Sequence, residues 1–278
     1  MTIATAQTIP IRPTLVASPD GTQIAVFVSG AGRPLVLVPG TTSDHTTWRL
    51  VVPLLEPNVE VNAVDRRGRG ASGDGPAYAL EREVEDLAAV VDATAARWGG
   101  PVDLLGHSYG GNVAFGAALR TSNLRRLVLY EGWPVPDVAD RTMAPDILAH
   151  LDDLLAHGRR AEALEAFFRE MVQVTEEEIA NIKASPAWSA RVAAAPTVPR
   201  ELRAFGEQAF DPASAARIDV PVLLLVGSES PDEILADPEV VAAAFPDARI
   251  GVLNGQAHMA QLTAPEALAA AVLDFLSD

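Results

Sequence analysis

The chain has 278 residues, 49% hydrophobic and 21% charged, proportions that suit a globular protein with a sizeable core. Its formal net charge of −16 repels phosphate backbones and anionic lipid, so nucleic acid and membrane surfaces are not expected partners. The absence of cysteine excludes a disulfide framework, a thiolate nucleophile and a cysteine-ligated metal.

Residues 1–18 have no basic start and no long apolar stretch, so they do not read as a secretory leader. No apolar run reaches the roughly 18 residues of a membrane helix. A soluble, cytoplasmic protein is expected. Two short runs, Thr14 to Ser18 and Gln23 to Ser29, flank the turn Pro19-Asp20-Gly21 and predict an antiparallel hairpin at a sheet edge. Nearly continuous Val, Ile and Leu mark buried parallel strands at Pro34 to Pro39, Val59 to Val64, Val102 to Leu105, Leu124 to Tyr130 and Val220 to Val226, with a last strand at Ala248 to Leu253.

Apolar spacing near 3.6 residues predicts helices over Leu80 to Trp98, with Val84, Leu87, Ala88 and Val91 on one stripe, and over Pro265 to Leu276. From Glu131 to Val220 the strand pattern stops and helical segments replace it: Asp146 to Ala156, Ala161 to Val172, Glu176 to Ala184 and Arg200 to Phe210. That is too long for a simple crossover. The organisation is therefore read as an α/β core, residues 1–132 and 214–278, with a helical cap inserted at 133–213.

Gly106-His107-Ser108-Tyr109-Gly110 lies between the apolar strand Val102-Asp-Leu-Leu and a helix over Asn112 to Arg120. A serine hydroxyl is a weak nucleophile that needs a base, an oxyanion site and a turn presenting its oxygen. Glycines two positions either side let strand and helix approach closely. By chance the bare pattern would occur in roughly one chain of this length in ten, so the strand before and the helix after carry the assignment of Ser108 as nucleophile.

These residues resemble the α/β-hydrolase superfamily, and the resemblance extends from about Val16 to Phe275. Further marks are Pro39-Gly40 with Trp48 following, and Asp65-Arg-Arg-Gly-Arg-Gly70-Ala-Ser72. The resemblance implies an α/β-hydrolase fold, a mostly parallel sheet with helices on both faces. Pro39 departs from the histidine of many relatives, without cost to an oxyanion donor that is a backbone N–H. Carried over, the oxyanion hole is the N–H groups of Tyr109 and Thr41. The loop Asp65 to Gly70 is expected to be a basic loop paired with nearby carboxylates.

Of five histidines, His258 in Asn254-Gly-Gln-Ala-His-Met259 occupies the family's place for the base, after the last strand. His107 reads as structural, His150 and His157 as part of the cap, and His45 as a substrate contact. The acid is less direct, because the family's usual aspartate position, in Gly227-Ser228-Glu229-Ser230, holds Ser230. Glu229 and Asp232 flank the gap, but Glu131 abuts a buried strand end, where a carboxylate is costly unless paired or functional. Certain haloalkane dehalogenases and fungal zearalenone lactonases look like they place their acid at this strand end. The expected triad is Ser108, His258 and Glu131, with Asp232 and Glu229 as alternatives; the competing reading of Glu131 is a salt bridge to Arg66 or Arg67.

The resemblance implies acyl transfer to water through an acyl-enzyme, with an ester or lactone of a small hydrophobic molecule as substrate. Thr42, His45 and Trp133 are expected substrate contacts, and Met143, Phe167, Phe168, Met171, Trp188 and Phe205 bias the cap toward apolar ligands. Carbon–carbon bond hydrolysis and cofactor-free perhydrolysis use the same constellation, and a non-catalytic ligand receptor is the rival of another class. No metal or cofactor is implied, and oligomeric state is left open.

Overall fold

The computed structural model describes residues 12–75, 77–134, 145–206, 210–230 and 238–277. Eight strands form one sheet: β1 Thr14–Ala17, β2 Gln23–Gly30, β3 Pro34–Val38, β4 Glu60–Val64, β5 Val102–His107, β6 Leu124–Tyr130, β7 Val222–Gly227 and β8 Ala248–Leu253. Their order is β1-β2-β4-β3-β5-β6-β7-β8. The β1–β2 hairpin is antiparallel, as the turn residues predict, β2 also runs antiparallel to β4, and every other neighbour pair is parallel.

The helices are α1 Val52–Leu55, α2 Leu80–Trp98, α3 Tyr109–Ala118, α4 Pro145–Ala156, α5 Arg160–Ala166, α6 Glu176–Ala184, α7 Trp188–Ala194, α8 Val198–Gly206, α9 Pro212–Ala215, α10 Pro238–Ala242, α11 Ala260–Thr263 and α12 Pro265–Ser277. Alternation along β3 explains why both sheet faces are covered. Val36 and Val38 join Leu87, Val91 and Val113 on the α2/α3 face, whereas Leu35 and Leu37 join Trp48, Leu268 and Val272 on the other. Helix α2 ends at Gly99, whose φ of 87° is the left-handed cap that glycine supplies freely.

Helices α4 to α8 lie between β6 and β7 and build a core of their own around Leu151, Leu164, Phe167, Ile179 and Leu202. Helix α6 opens with a capping box formed by Thr175 and Glu178. Three local details differ from the sequence expectation. The helix expected over Ala161 to Val172 is α5 followed by a wide π-helical stretch, Phe167–Val172, which ends at Gln173 with φ 58°. The helix expected over Arg200 to Phe210 begins earlier, at Val198. Helix α7 was not anticipated, because Pro186 and Pro196 bracket too short a stretch to show periodicity. Trp133 and Phe210, inside the expected cap range, belong to the core on the α2/α3 face.

Candidate active site

Strand β5 delivers Ser108 to the carboxyl edge of the sheet, where the chain turns at once into α3. The turn is tight enough to hold Ser108 at φ 55° and ψ −130°, a conformation few non-glycine residues adopt. Small neighbours permit it. A Cβ on Gly106 would lie 2.4 Å from the Gly110 carbonyl oxygen, and one on Gly132 would lie 2.0 Å from the Ser108 carbonyl oxygen. Helix α3 starts at Tyr109 rather than Asn112, so its amino end abuts the serine.

The end of β6 crosses beside this turn. The Ser108 N–H donates to the Tyr130 carbonyl at 2.9 Å, and Glu131 follows with its own positive φ of 42°. Glu131 is buried, and its Oε2 lies 2.7 Å from Nδ1 of His258. Its Oε1 accepts the Gly227 N–H at 2.7 Å and the Ser230 hydroxyl at 2.6 Å. Burial pushes the Glu131 carboxyl up, but the bonds from His258, Ser230 and Gly227 outweigh it and hold the group below its ordinary value. A carboxylate on Nδ1 assigns the proton to that nitrogen and leaves Nε2 to accept one.

Two further side chains fasten the loop that carries His258. The Tyr130 hydroxyl donates to the Ala257 carbonyl at 2.6 Å and accepts the Ala260 N–H at 3.0 Å. His107 Nε2 bonds the His258 carbonyl at 2.8 Å, and its ring stacks on Tyr130 with centroids 4.8 Å apart. Burial first, and the neighbouring His258 second, press the His107 pKa well below its usual value, so the ring is neutral and Nε2 carries the donated hydrogen.

The loop after β3 closes the opposite side. A Cβ on Gly40 would sit 2.8 Å from Ser108 Cβ and 3.3 Å from its Oγ. The Gly40 carbonyl accepts from Arg66 Nη2 at 3.0 Å, Arg69 Nη1 at 3.4 Å and the Ser43 N–H at 3.3 Å. Arg66 also forks onto both Glu83 oxygens at 2.9 and 2.8 Å, and Glu201 of α8 bridges Arg66 and Arg69. All four charged residues are buried, so the pairs stand or fall together. Tyr109 joins the same network through its hydroxyl, 2.7 Å from that of Tyr78, and through Arg66, 4.9 Å above its ring. The residues expected to supply both oxyanion N–H groups are thus braced from behind by one charged cluster.

The remaining expected residues fall as follows. Glu229 is exposed and accepts from Ser228, and Asp232 lies outside the described residues, as does Met143. Arg66 and Arg67 pair with Glu83, Glu201, Asp86 and Asp20, so the basic-loop reading of Asp65 to Gly70 fits and the salt-bridge alternative for Glu131 does not. His45 is engaged by Asp65 at 2.8 Å and stacks on Phe27; Trp133 is core; the Thr42 hydroxyl accepts from Arg191 at 2.9 Å. Sequence reasoning missed Arg191, Glu201, Tyr130 and Ser230. Only Ser230 left a trace, as the vacancy at the usual acid position. Ligand atoms of Asp44, His45 and Asp65 lie within 4.8 Å of one another, but those of Asp44 and Asp65 are already engaged by Thr46, His45 and Ala71.

Known proteins place this arrangement in context. A profile of the "Alpha/beta hydrolase family" matches residues 35–271. A crystal structure of an alpha/beta hydrolase from Sphaerobacter thermophilus is 36% identical, with a TM-score of 0.82 over 95% of this chain and 100% of that one. N-formylmaleamate deformylase of Pseudomonas putida is 40% identical over 104 residues, 37% of this chain and 38% of that protein's length. 2-hydroxymuconate semialdehyde hydrolase of a Pseudomonas species is 38% identical over 108 residues, 36% of this chain and 37% of that protein. The chain thus matches less than two fifths of the length of these two relatives.

Proposed function

Since the chain belongs to the alpha/beta hydrolase family, we propose that it is a serine hydrolase in which Ser108 attacks a carbonyl, His258 is the base and Glu131 is the acid. The carrying observation is the 2.7 Å contact of His258 Nδ1 with a buried Glu131 whose other oxygen is held by two donors. Glu131 orients the imidazole and stabilises its cation as Ser108 loses its proton to Nε2. The oxyanion forms against the N–H groups of Thr41 and Tyr109, collapses with expulsion of the leaving group to an acyl-Ser108, and water attacks that acyl-enzyme with His258 again as base.

Esters and lactones of small molecules are the substrates this chemistry serves most directly. Two relatives, named for a deformylase of N-formylmaleamate and a hydrolase of 2-hydroxymuconate semialdehyde, support a second reading in which the bond cleaved beside the carbonyl is not an ester. Labelling with a fluorophosphonate and mapping the adduct tests both readings. The expected result is one adduct on Ser108, lost in Ser108→Ala; an unlabelled Ser108 in folded protein contradicts it. A panel of esters, lactones and β-diketones then separates the two.

A further inference from the structure

Strand β8 stands at the end of the strand order with β7 as its neighbour, and one face of it is apolar and exposed. Ile250 is 38% exposed and Val252 52%, whereas the β7 residues in register with them, Leu224 and Val226, are buried. Residues in register across a parallel pair share a sheet face, so Ala248, Ile250 and Val252 lie on the α2/α3 face with Val222, Leu224 and Val226. Helix α10 and the turn after it pack on that face beside β8, anchored through Val241 and Phe245, and leave Val240 54% exposed. Three of the six exposed large hydrophobic side chains among the described residues therefore gather at this corner of the sheet. Contiguous apolar surface of this kind marks an interaction site.

The backbone of β8 points the same way. The Asp247 carbonyl accepts from the Val222 N–H at 2.9 Å and the Leu253 carbonyl from the Ser228 N–H at 3.1 Å, so the odd-numbered residues bond toward β7. Ala248, Ile250 and Val252 consequently aim their N–H and C=O groups away from the sheet, a template for one more strand. Strand β8 holds no proline, lysine or acid, residues that commonly blunt an edge. Its one charge, Arg249, lies on the opposite face, 5.6 Å from the Phe275 ring centroid. The other edge, β1, is only four residues long and follows Pro13 directly.

Charge and symmetry decide what such an edge accepts. The chain carries −16, so a second copy is repelled over most of its surface, but residues 248–255 contain no acid. An antiparallel twofold pair centred on Ile250 sets Ile250 against Ile250 and Ala248 against Val252, and lets all three outward residues exchange both backbone bonds. Arg249 then faces Gly251 and Asp247 faces Leu253, so no like charges meet. Moving the centre to Arg249 would set two arginines opposite each other, and moving it to Gly251 would leave Ala248 opposite Asn254, beyond the strand. We propose that β8 is the surface through which two copies of this chain join, in an antiparallel pair about Ile250 that merges their sheets. Val240, Ile250 and Val252 of each copy form the apolar strip beside the axis. The carboxyl edges of the two sheets then point in opposite directions, so neither copy covers the other's Ser108 turn, and the assembly does not depend on the chemistry proposed there.

Light scattering on a sizing column, at about 1 to 100 μM to bracket micromolar self-association, is expected to give twice the 29.3 kDa of the chain at the upper end. Monomer throughout overturns the proposal and needs no variant. Hydrogen exchange of the wild type then locates the contact: in a dimeric sample the β8 peptide should be protected as strongly as that of β7, whereas fast exchange in β8 overturns the proposal. Charge reversal reads the register. Ile250→Lys and Ile250→Glu, each of which sets like charges in opposition, should each run at the monomer mass with wild-type circular dichroism. An equimolar mixture of the two should recover the doubled mass. A dimer of either variant alone, or no recovery in the mixture of folded variants, overturns the pairing of Ile250 with its copy; if a variant fails to fold, the exchange result decides.

Discussion

His107 holds the backbone of His258: its Nε2–H donates to the His258 carbonyl at 2.8 Å, from a ring packed against Tyr130 on one side and Trp48 at its edge. The residue before the proposed nucleophile therefore positions the backbone of the proposed base from 151 residues away in sequence. Because burial keeps His107 neutral in the fold, the unfolded chain binds a proton that the folded chain refuses between the depressed pKa and the ordinary 6.5. Stability from this group is complete above about pH 6.5 and is lost as pH falls through that window, by up to about 1.4 kcal/mol per pH unit. Thermal melts between pH 7.5 and 5 should show a steeper fall for wild type than for His107→Gln; parallel curves would mean the ring protonates freely.

Gly40 and Ser108 touch so closely that substitution becomes a ruler for the oxyanion loop. The Gly40 backbone lies outside the positive-φ region, so alanine there adds a methyl group 2.8 Å from Ser108 Cβ without backbone strain. Gly40→Ala should lower kcat by about tenfold to a hundredfold, the scale of an ångström-sized misplacement, with KM changed much less. Gly132→Ala is the harsher variant, since its Cβ meets the Ser108 backbone itself at 2.0 Å. It should give inactive or unfolded protein, judged by circular dichroism.

Glu201 ties the helical insertion to the loop behind the oxyanion site. Replacing it with Gln leaves Arg66 and Arg69 to share Glu83 in a buried setting, and a broken buried pair costs about 3–5 kcal/mol. Calorimetric melting of Glu201→Gln should show a drop on the order of 10 °C. If Glu201 braces the oxyanion donors as well as the fold, kcat falls in this variant at a temperature where it remains folded, while KM moves less.

Much of this was legible in the sequence because it follows from local patterns. The runs of Val, Ile and Leu gave β3 to β8 to within a residue or two, and the strand–serine–helix context located the elbow. His258 and Glu131 were placed by their positions at strand ends. Partners joined only by folding left no such trace. Ser230, read as a vacancy, donates to Glu131 at 2.6 Å, so a hydroxyl at the usual acid position supports an acid one strand away. Arg191 sits in a short helix between two prolines, where periodicity is unreadable, and no sequence motif marks Glu201, which only folding buries between two arginines.

The central claim is that Glu131, rather than a carboxylate in the loop after β7, holds His258 in its working tautomer. The direct measurement is kcat/KM of Glu131→Gln beside Glu229→Gln and Asp232→Asn on one ester that wild type turns over. Glu131→Gln should lose about a thousandfold or more, the scale of a triad acid made neutral. The other two variants should stay within about threefold of wild type, as expected of residues away from the chemistry. Near wild-type turnover in Glu131→Gln, or a collapse confined to Asp232→Asn, would contradict the assignment.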